Sequence, residues 1–346
     1  MEAPEAENPE ARPPVPPWGF PEWFVISQTA FPALLLVPGS QSVRLPLRAA
    51  SFAVSLLGLV WRRPGGWGRP VGHPSQPFLA AVLIYLVFML FHPTTNSLTA
   101  GCVQILLYLA VLAPAFWAPR LVRGPEHLAR LLFLFLVCNG INAAMGVLQV
   151  YAPGVWMPKE LSTVITTSEY GLDAVSYLGP DGTRIVRPPG LFDNPGAVCG
   201  PGMTAGVLGL IFCLAPASLG KKGLGLGLAL AGMAVIYLSQ VRTSLLLVGG
   251  MAVVFPVVLV VLQGEWRKAA WFVGLMGLLL TAAFSLAVAL GGPSIRERFT
   301  TLVDKNPVEL FYASRGQQLE AGLKSLLVEY PLGAGLGRWG IIQTYF

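Results

Sequence analysis

The chain is short of charge. Only 12% of its 346 residues are charged, about half of the roughly 25% typical of soluble proteins. That shortage excludes an ordinary water-facing globular surface, and a hydrophobic share of 54% excludes a disordered chain. Histidine is nearly absent, with only His73, His92 and His127. The four cysteines, Cys102, Cys138, Cys199 and Cys213, all fall in apolar runs. None forms a CxxC or pairs with a nearby histidine. They read as small buried hydrophobes, not as a disulfide framework or a metal site, and no metal or cofactor is expected.

What the chain has instead is long apolar runs and 39 glycines, a residue commoner in membrane helices than in soluble ones. A helix needs about 20 apolar residues to cross roughly 30 Å of hydrocarbon. Candidate spans lie near 22–38, 44–61, 78–92, 99–118, 127–150, 194–215, 223–239, 243–262 and 269–290. The expected fold is therefore an all-α polytopic membrane protein with about nine transmembrane helices.

One boundary follows from length alone. Residues 223–262 carry a single charge, Arg242, and as one helix would reach about 60 Å, twice the hydrocarbon thickness. The segment must turn, and Ser239-Gln240-Val241-Arg242-Thr243-Ser244 is its one polar cluster. A charge at mid-bilayer costs at least about 2.5–3.5 kcal/mol, so two spans are expected to meet at Arg242.

Lysine and arginine in the short connections set the sidedness. With the N-terminus inside, one face holds Arg62, Arg63, Arg69, Arg120, Arg123, Arg130, Lys221, Lys222, Arg267 and Lys268, against Arg44, Arg48 and Arg242 on the other. The first face is expected to be cytoplasmic. Residues 1–21 hold Glu2, Glu5, Glu7 and Glu10 among prolines with no apolar core, and read as a disordered cytoplasmic tail, not a signal peptide. The remaining organisation is N-terminal spans over 22–150, an outer loop over 151–193, central spans over 194–290 and the start of a large outer loop over 291–346. Loops of that length commonly carry function.

Three outer constellations stand out. Arg184-Ile185-Val186-Arg187 precedes the rigid turn Pro188-Pro189-Gly190 and Leu191-Phe192-Asp193-Asn194-Pro195. Asp193 or Asn194 can cap the next span, with Pro195 at its first position. The arginines can lie at lipid headgroups, or they can form a basic rim that receives an anion at the helix start beside Asn194. Arg242 can likewise snorkel to headgroups or bind phosphate through two parallel hydrogen bonds.

The third constellation lies in the last loop. Ser314 and Gln317 have capping-box spacing, Leu319, Leu323, Leu326, Leu327 and Tyr330 recur with helical period, Glu320 and Lys324 form an i,i+4 pair, and Pro331 stops the pattern. The spacing predicts an amphipathic helix over 315–330. Arg315 in its first turn runs against the helix dipole, which hints at an anionic partner. Gly335-Leu336-Gly337-Arg338-Trp339-Gly340 formally matches GxGxxG but follows a helix, so a dinucleotide fold is excluded. A glycine bend with close backbone approach remains.

Taken in order, Arg187-Pro188-Pro189-Gly190-Leu191-Phe192-Asp193-Asn194-Pro195, Leu238-Ser239-Gln240-Val241-Arg242-Thr243, and Ser314-Arg315 followed by Pro331-Leu332-Gly333-Ala334-Gly335-Leu336-Gly337 resemble the bacterial O-antigen ligase and polymerase superfamily over roughly residues 185–340. The resemblance implies a metal-independent glycosyltransferase of the bacterial inner membrane, with its active face periplasmic. Its donor would be a glycan on undecaprenyl pyrophosphate, and its acceptor a lipid, a growing polymer or a protein.

Arg242 and Arg315 would then be catalytic, holding the donor pyrophosphate, with Arg184, Arg187, Asn194 and Arg338 binding substrate. The family carries a histidine later in its large outer loop, followed by further spans, whereas residues 291–346 contain none. The resemblance therefore implies a chain that continues beyond Phe346. Asp193, Glu309 and Glu320 are the carboxylates best placed to serve as base, although cap, surface charge and helix pair respectively account for them better, and none is assigned as base. A transporter or flippase of lipid-linked glycans is the competing class, but such proteins tend to carry mid-membrane charges and internal repeats, and neither is visible here.

Overall fold

The computed structural model describes residues 16–61, 72–159, 161–162, 171–304 and 316–338, together with Asn306, Glu309 and Tyr312. Among the described residues nine helices of fourteen residues or more occur in chain order: α1 (Phe20–Leu34), α2 (Arg44–Val60), α3 (Gln76–Met89), α4 (Leu98–Leu121), α5 (Gly124–Tyr151), α6 (Cys199–Leu214), α7 (Leu219–Ser239), α8 (Arg242–Gln263) and α9 (Trp266–Gly291). Five of these, α4, α5, α7, α8 and α9, are long and apolar enough to cross a membrane. A further helix, α10 (Pro293–Asp304), follows α9 directly.

The core sits where α5, α6, α7 and α9 meet. Leu210, Met233, Ile236, Leu238, Phe272 and Met276 are all buried there. Small residues bring α6 and α7 together: a Cβ on Gly202 would come within 2.8 Å of the Gly232 carbonyl oxygen, and one on Gly225 within 3.1 Å of the Gly209 carbonyl oxygen. Backbones that approach this closely are a common way of joining membrane helices. Outward, the large side chains of α8 such as Leu246, Val253, Val261 and Leu262 are exposed, as a face that meets lipid requires.

Buried ionic clusters tie the helix ends. At one end Glu22, fully buried, accepts hydrogen bonds from the Gly19 N–H (2.9 Å) and from the Arg130 guanidinium, and lies 3.0 Å from His127 Nε2. Arg130 also donates to the Pro16 carbonyl (2.7 Å). The stretch 1–21, read as disordered, has described backbone from Pro16 onward, because α5 supplies the Arg130 counter-charge and the His127 ring nitrogen that let Glu22 be buried. Residues 1–15 and the Arg62–Arg69 connection lie outside the described residues.

The described residues are mostly helical, as expected of an all-α membrane protein, with one small antiparallel hairpin of Ser176–Leu178 and Arg184–Val186 in which Tyr177 lies opposite Ile185. Three expectations need correction. The helix after Pro195 starts only at Cys199 and has no side-chain cap, because Asp193 is held elsewhere. The amphipathic segment is α-helical over Gln317–Ala321, widens to a π-helix over Gly322–Leu326 and returns to α over Leu327–Glu329. Cys102 is exposed, while Cys138 is buried and Cys199 and Cys213 half-buried, all four as free thiols.

The glycine bend does approach another backbone closely. It docks on the α3–α4 turn: Thr94 Oγ1 donates to the Ala334 carbonyl (2.7 Å), the Gly337 N–H to Gln104 Oε1 (2.6 Å) and the Asn96 N–H to the Leu336 carbonyl (3.0 Å). Gly335 has φ +79°, and a Cβ there would lie 2.6 Å from the Thr95 nitrogen. Only glycine fits.

Candidate functional site

The turn 187–196 is held by polar side chains from two helices. On α5, Asn142 Oδ1 accepts the Leu191 N–H (2.9 Å). One turn-pair later Gln149 makes two bonds to Gly190, accepting its N–H (2.8 Å) and donating to its carbonyl (2.7 Å). Both side chains are buried, so these bonds satisfy groups that would otherwise be costly in an apolar bundle. Gly190 has φ +69°, and any Cβ would overlap Asn142 Oδ1.

On α2, Arg44 and Arg48 reach Asp193. Arg48 donates to Asp193 Oδ2 at 2.6 Å and to Ser162 Oγ at 3.0 Å; Arg44 Nε lies 3.1 Å from the same carboxylate oxygen, and its Nη1 donates to the Leu161 carbonyl at 3.0 Å. Asp193 is thus neither a helix cap nor available as a base, since two guanidiniums share one of its oxygens. Arg44 and Arg48, read as short-loop charges, lie in α2 and bind protein.

Beyond this clamp Arg187 and Arg242 both lie close enough to Arg298 for their charges to act on it. Arg187 follows the hairpin, its N–H donating to the Val175 carbonyl (2.9 Å). The chain turns between α7 and α8 at Gln240 and Val241, and Gln240 is the one non-glycine residue of positive φ (+56°) among the described residues. The 187–196 turn leans on that corner, where a Cβ on Gly196 would touch the Val241 side chain (3.7 Å) and the Ser239 carbonyl oxygen (3.9 Å).

Arg242 is the first residue of α8, the positive end of a 22-residue helix, and its Nε donates to the Arg298 carbonyl at 3.3 Å. Burial, and then the charges of Arg242 and Arg187, hold the Arg298 guanidinium below its usual range. Burial likewise lowers that of Arg187 and pushes the Tyr177 phenol well up, the Arg187 charge opposing the latter shift. The charges of Arg187 and Arg242 thus both reach the half-buried Arg298, and the planar guanidinium is suited to binding phosphate through two parallel hydrogen bonds.

The other expected site residues lie elsewhere or outside the described residues. Arg184 is exposed on the second strand and pairs with Asp173. Asn194 is exposed, and its carbonyl accepts the Ala197 N–H (3.1 Å). Arg338 belongs to the docked bend and donates to the Ala334 carbonyl (3.4 Å). Glu320 is paired with Lys324, and Glu309 is exposed. Arg315, Ser314, Trp339 and Gly340 lie outside the described residues.

Arg298 and Tyr177 escaped the sequence reading, since a positive charge in Arg296-Glu297-Arg298 has nothing local to distinguish it, and Gln240 was read only as part of the polar corner. Asn142 and Gln149 did leave a signal: polar residues seven apart on one face of an apolar span. Among the described residues no cluster of His, Cys, Asp and Glu could hold a metal ion. Comparison with family models, curated proteins and solved structures finds no match to this chain.

Proposed function

We propose that this multi-pass membrane protein is a glycosyltransferase of the O-antigen ligase and polymerase type, moving a glycan from undecaprenyl pyrophosphate onto a glycan, lipid or protein acceptor. The observation that carries the proposal is that Arg187 and Arg242 both reach Arg298, where the 187–196 turn leans on the α7–α8 corner. A leaving diphosphate develops charge, and guanidinium groups already in place stabilise it without a metal. In this reading that end of the bundle faces the periplasm of a bacterial inner membrane, all nine helices α1 to α9 span it, and Arg315 joins the same headgroup. Arg184, Asn194 and Arg338 bind flanking parts of the substrates.

The test is reconstitution of the full-length protein in proteoliposomes with an undecaprenyl-diphosphate-linked glycan and candidate acceptors. Covalent transfer that persists in EDTA is expected. Movement of the lipid-linked glycan across the bilayer without any covalent product would overturn the enzyme reading in favour of a flippase.

A further inference from the structure

Three hydrogen-bonding groups, on the hairpin, on the turn that follows it and on the α7–α8 corner against which that turn leans, are buried without a partner among the described residues: the Tyr177 hydroxyl, Arg187 Nε and Gln240 Nε2. Tyr177 is only 8% exposed and Gln240 only 5%. Native structures pair such groups almost without exception, because an unmade bond forfeits the full cost of desolvation. All three can donate, and they come from separate stretches of chain: the hairpin, the residue before Pro188, and the α7–α8 corner. Gln240 also holds a left-handed backbone that non-glycine residues seldom adopt.

A fourth stretch arrives with α10. Its Arg298 carbonyl takes the Arg242 Nε–H, and the start of α10 is seated on the hairpin turn, where a Cβ on Gly292 would lie 2.6 Å from the Pro180 nitrogen. That seat brings Arg298 within reach of the charges of Arg187 and Arg242.

We propose that Arg298, Tyr177 and Gln240 are further ligands of the anion held by Arg187 and Arg242, and that the anion is a diphosphate. The inference rests on the anion-binding part of the function proposed above. Two linked phosphate groups spread their charge over a length that suits guanidiniums brought in by three separate segments. A single phosphate offers a smaller target. Tyr177 and Gln240 contribute neutral donors, and Arg298 draws α10 onto the site.

Inorganic pyrophosphate, titrated calorimetrically into the full-length protein in detergent, is the probe, with orthophosphate alongside. Wild type is expected to bind pyrophosphate more tightly than orthophosphate. Arg298→Gln should weaken pyrophosphate binding about tenfold or more, as loss of a bond to a charged group does, with Arg298→Lys in between. Tyr177→Phe removes only an oxygen. Without ligand it should melt at or above the wild-type temperature, yet bind pyrophosphate more weakly, a combination that a merely structural hydroxyl would not give. If Arg298→Gln does not fold, Tyr177→Phe and Gln240→Met decide.

Wild-type binding by the Tyr177 and Arg298 variants, with Arg187→Gln and Arg242→Gln impaired, overturns this inference and leaves the proposed function standing. Tight pyrophosphate binding that depends on all these residues, in a protein that transfers no glycan, overturns the function and leaves the site. A wild type that binds neither anion overturns both.

Discussion

Arg242→Ala is expected to lower glycan transfer by about 10²–10³-fold, the loss seen when one preplaced donor to a developing oxyanion is removed. Arg242 opens α8 and donates to the Arg298 carbonyl, so the guanidinium is already fixed before any substrate arrives. Arg242→Lys should recover only part of the loss, because an ammonium is a point charge and cannot make two parallel bonds to a phosphate. Residue 242 is half-exposed at a helix start and outside the packed core, so both variants should insert and melt as the wild type does. Transfer by Arg242→Ala at the wild-type rate, in protein of unchanged stability, would remove the residue from the mechanism.

Asp193→Ala is expected to destabilise the fold by about 3–5 kcal/mol, the cost of breaking a buried ion pair from one side. Asp193 is buried and meets Arg44, which is also buried, and Arg48, which is partly so. The variant would leave both guanidiniums without their carboxylate and loosen α2 from the turn that carries Arg187. The readout is the melting temperature in detergent, which should fall markedly, with activity falling alongside it. Combining Asp193→Leu with Arg44→Met and Arg48→Met should restore much of the stability, because replacing all the charges with apolar groups of similar size removes the uncompensated ones. An unchanged melting temperature in Asp193→Ala would mean that the cluster contributes nothing to holding the turn.

How much of this could be read from residues alone depends on how local each cause is. The corner at Gln240–Val241 was legible because an apolar run of that length cannot cross a bilayer once and has only one polar place to turn. Pro331 as a stop and Glu320–Lys324 as a helical pair rest on contacts within a few residues. The role of Asp193 was hidden for the opposite reason. Asp-Asn-Pro is a good helix start in isolation, but Arg48 lies 145 positions away in sequence, and no local window contains it. The buried carboxylate follows its counter-charges, so the helix starts later.

The hairpin was missed because each strand has three residues, too few for alternation to show. Arg298 was missed because a charge in an exposed-looking helix declares itself only when its neighbours in space are known. The docking of the glycine bend on residues 94–104 belongs to the same class. Its backbone requirement was visible in Gly335 and Gly337, but its partner was not.

The most direct test of the central claim is a structure of the full-length protein with an undecaprenyl-diphosphate-linked donor bound. The account predicts the diphosphate at the junction of the 187–196 turn and the α7–α8 corner, with Arg187 and Arg242 both within about 2.7–3.2 Å of phosphate oxygens. A diphosphate bound at the Glu22–His127–Arg130 end, or one touched by neither Arg187 nor Arg242, would contradict it.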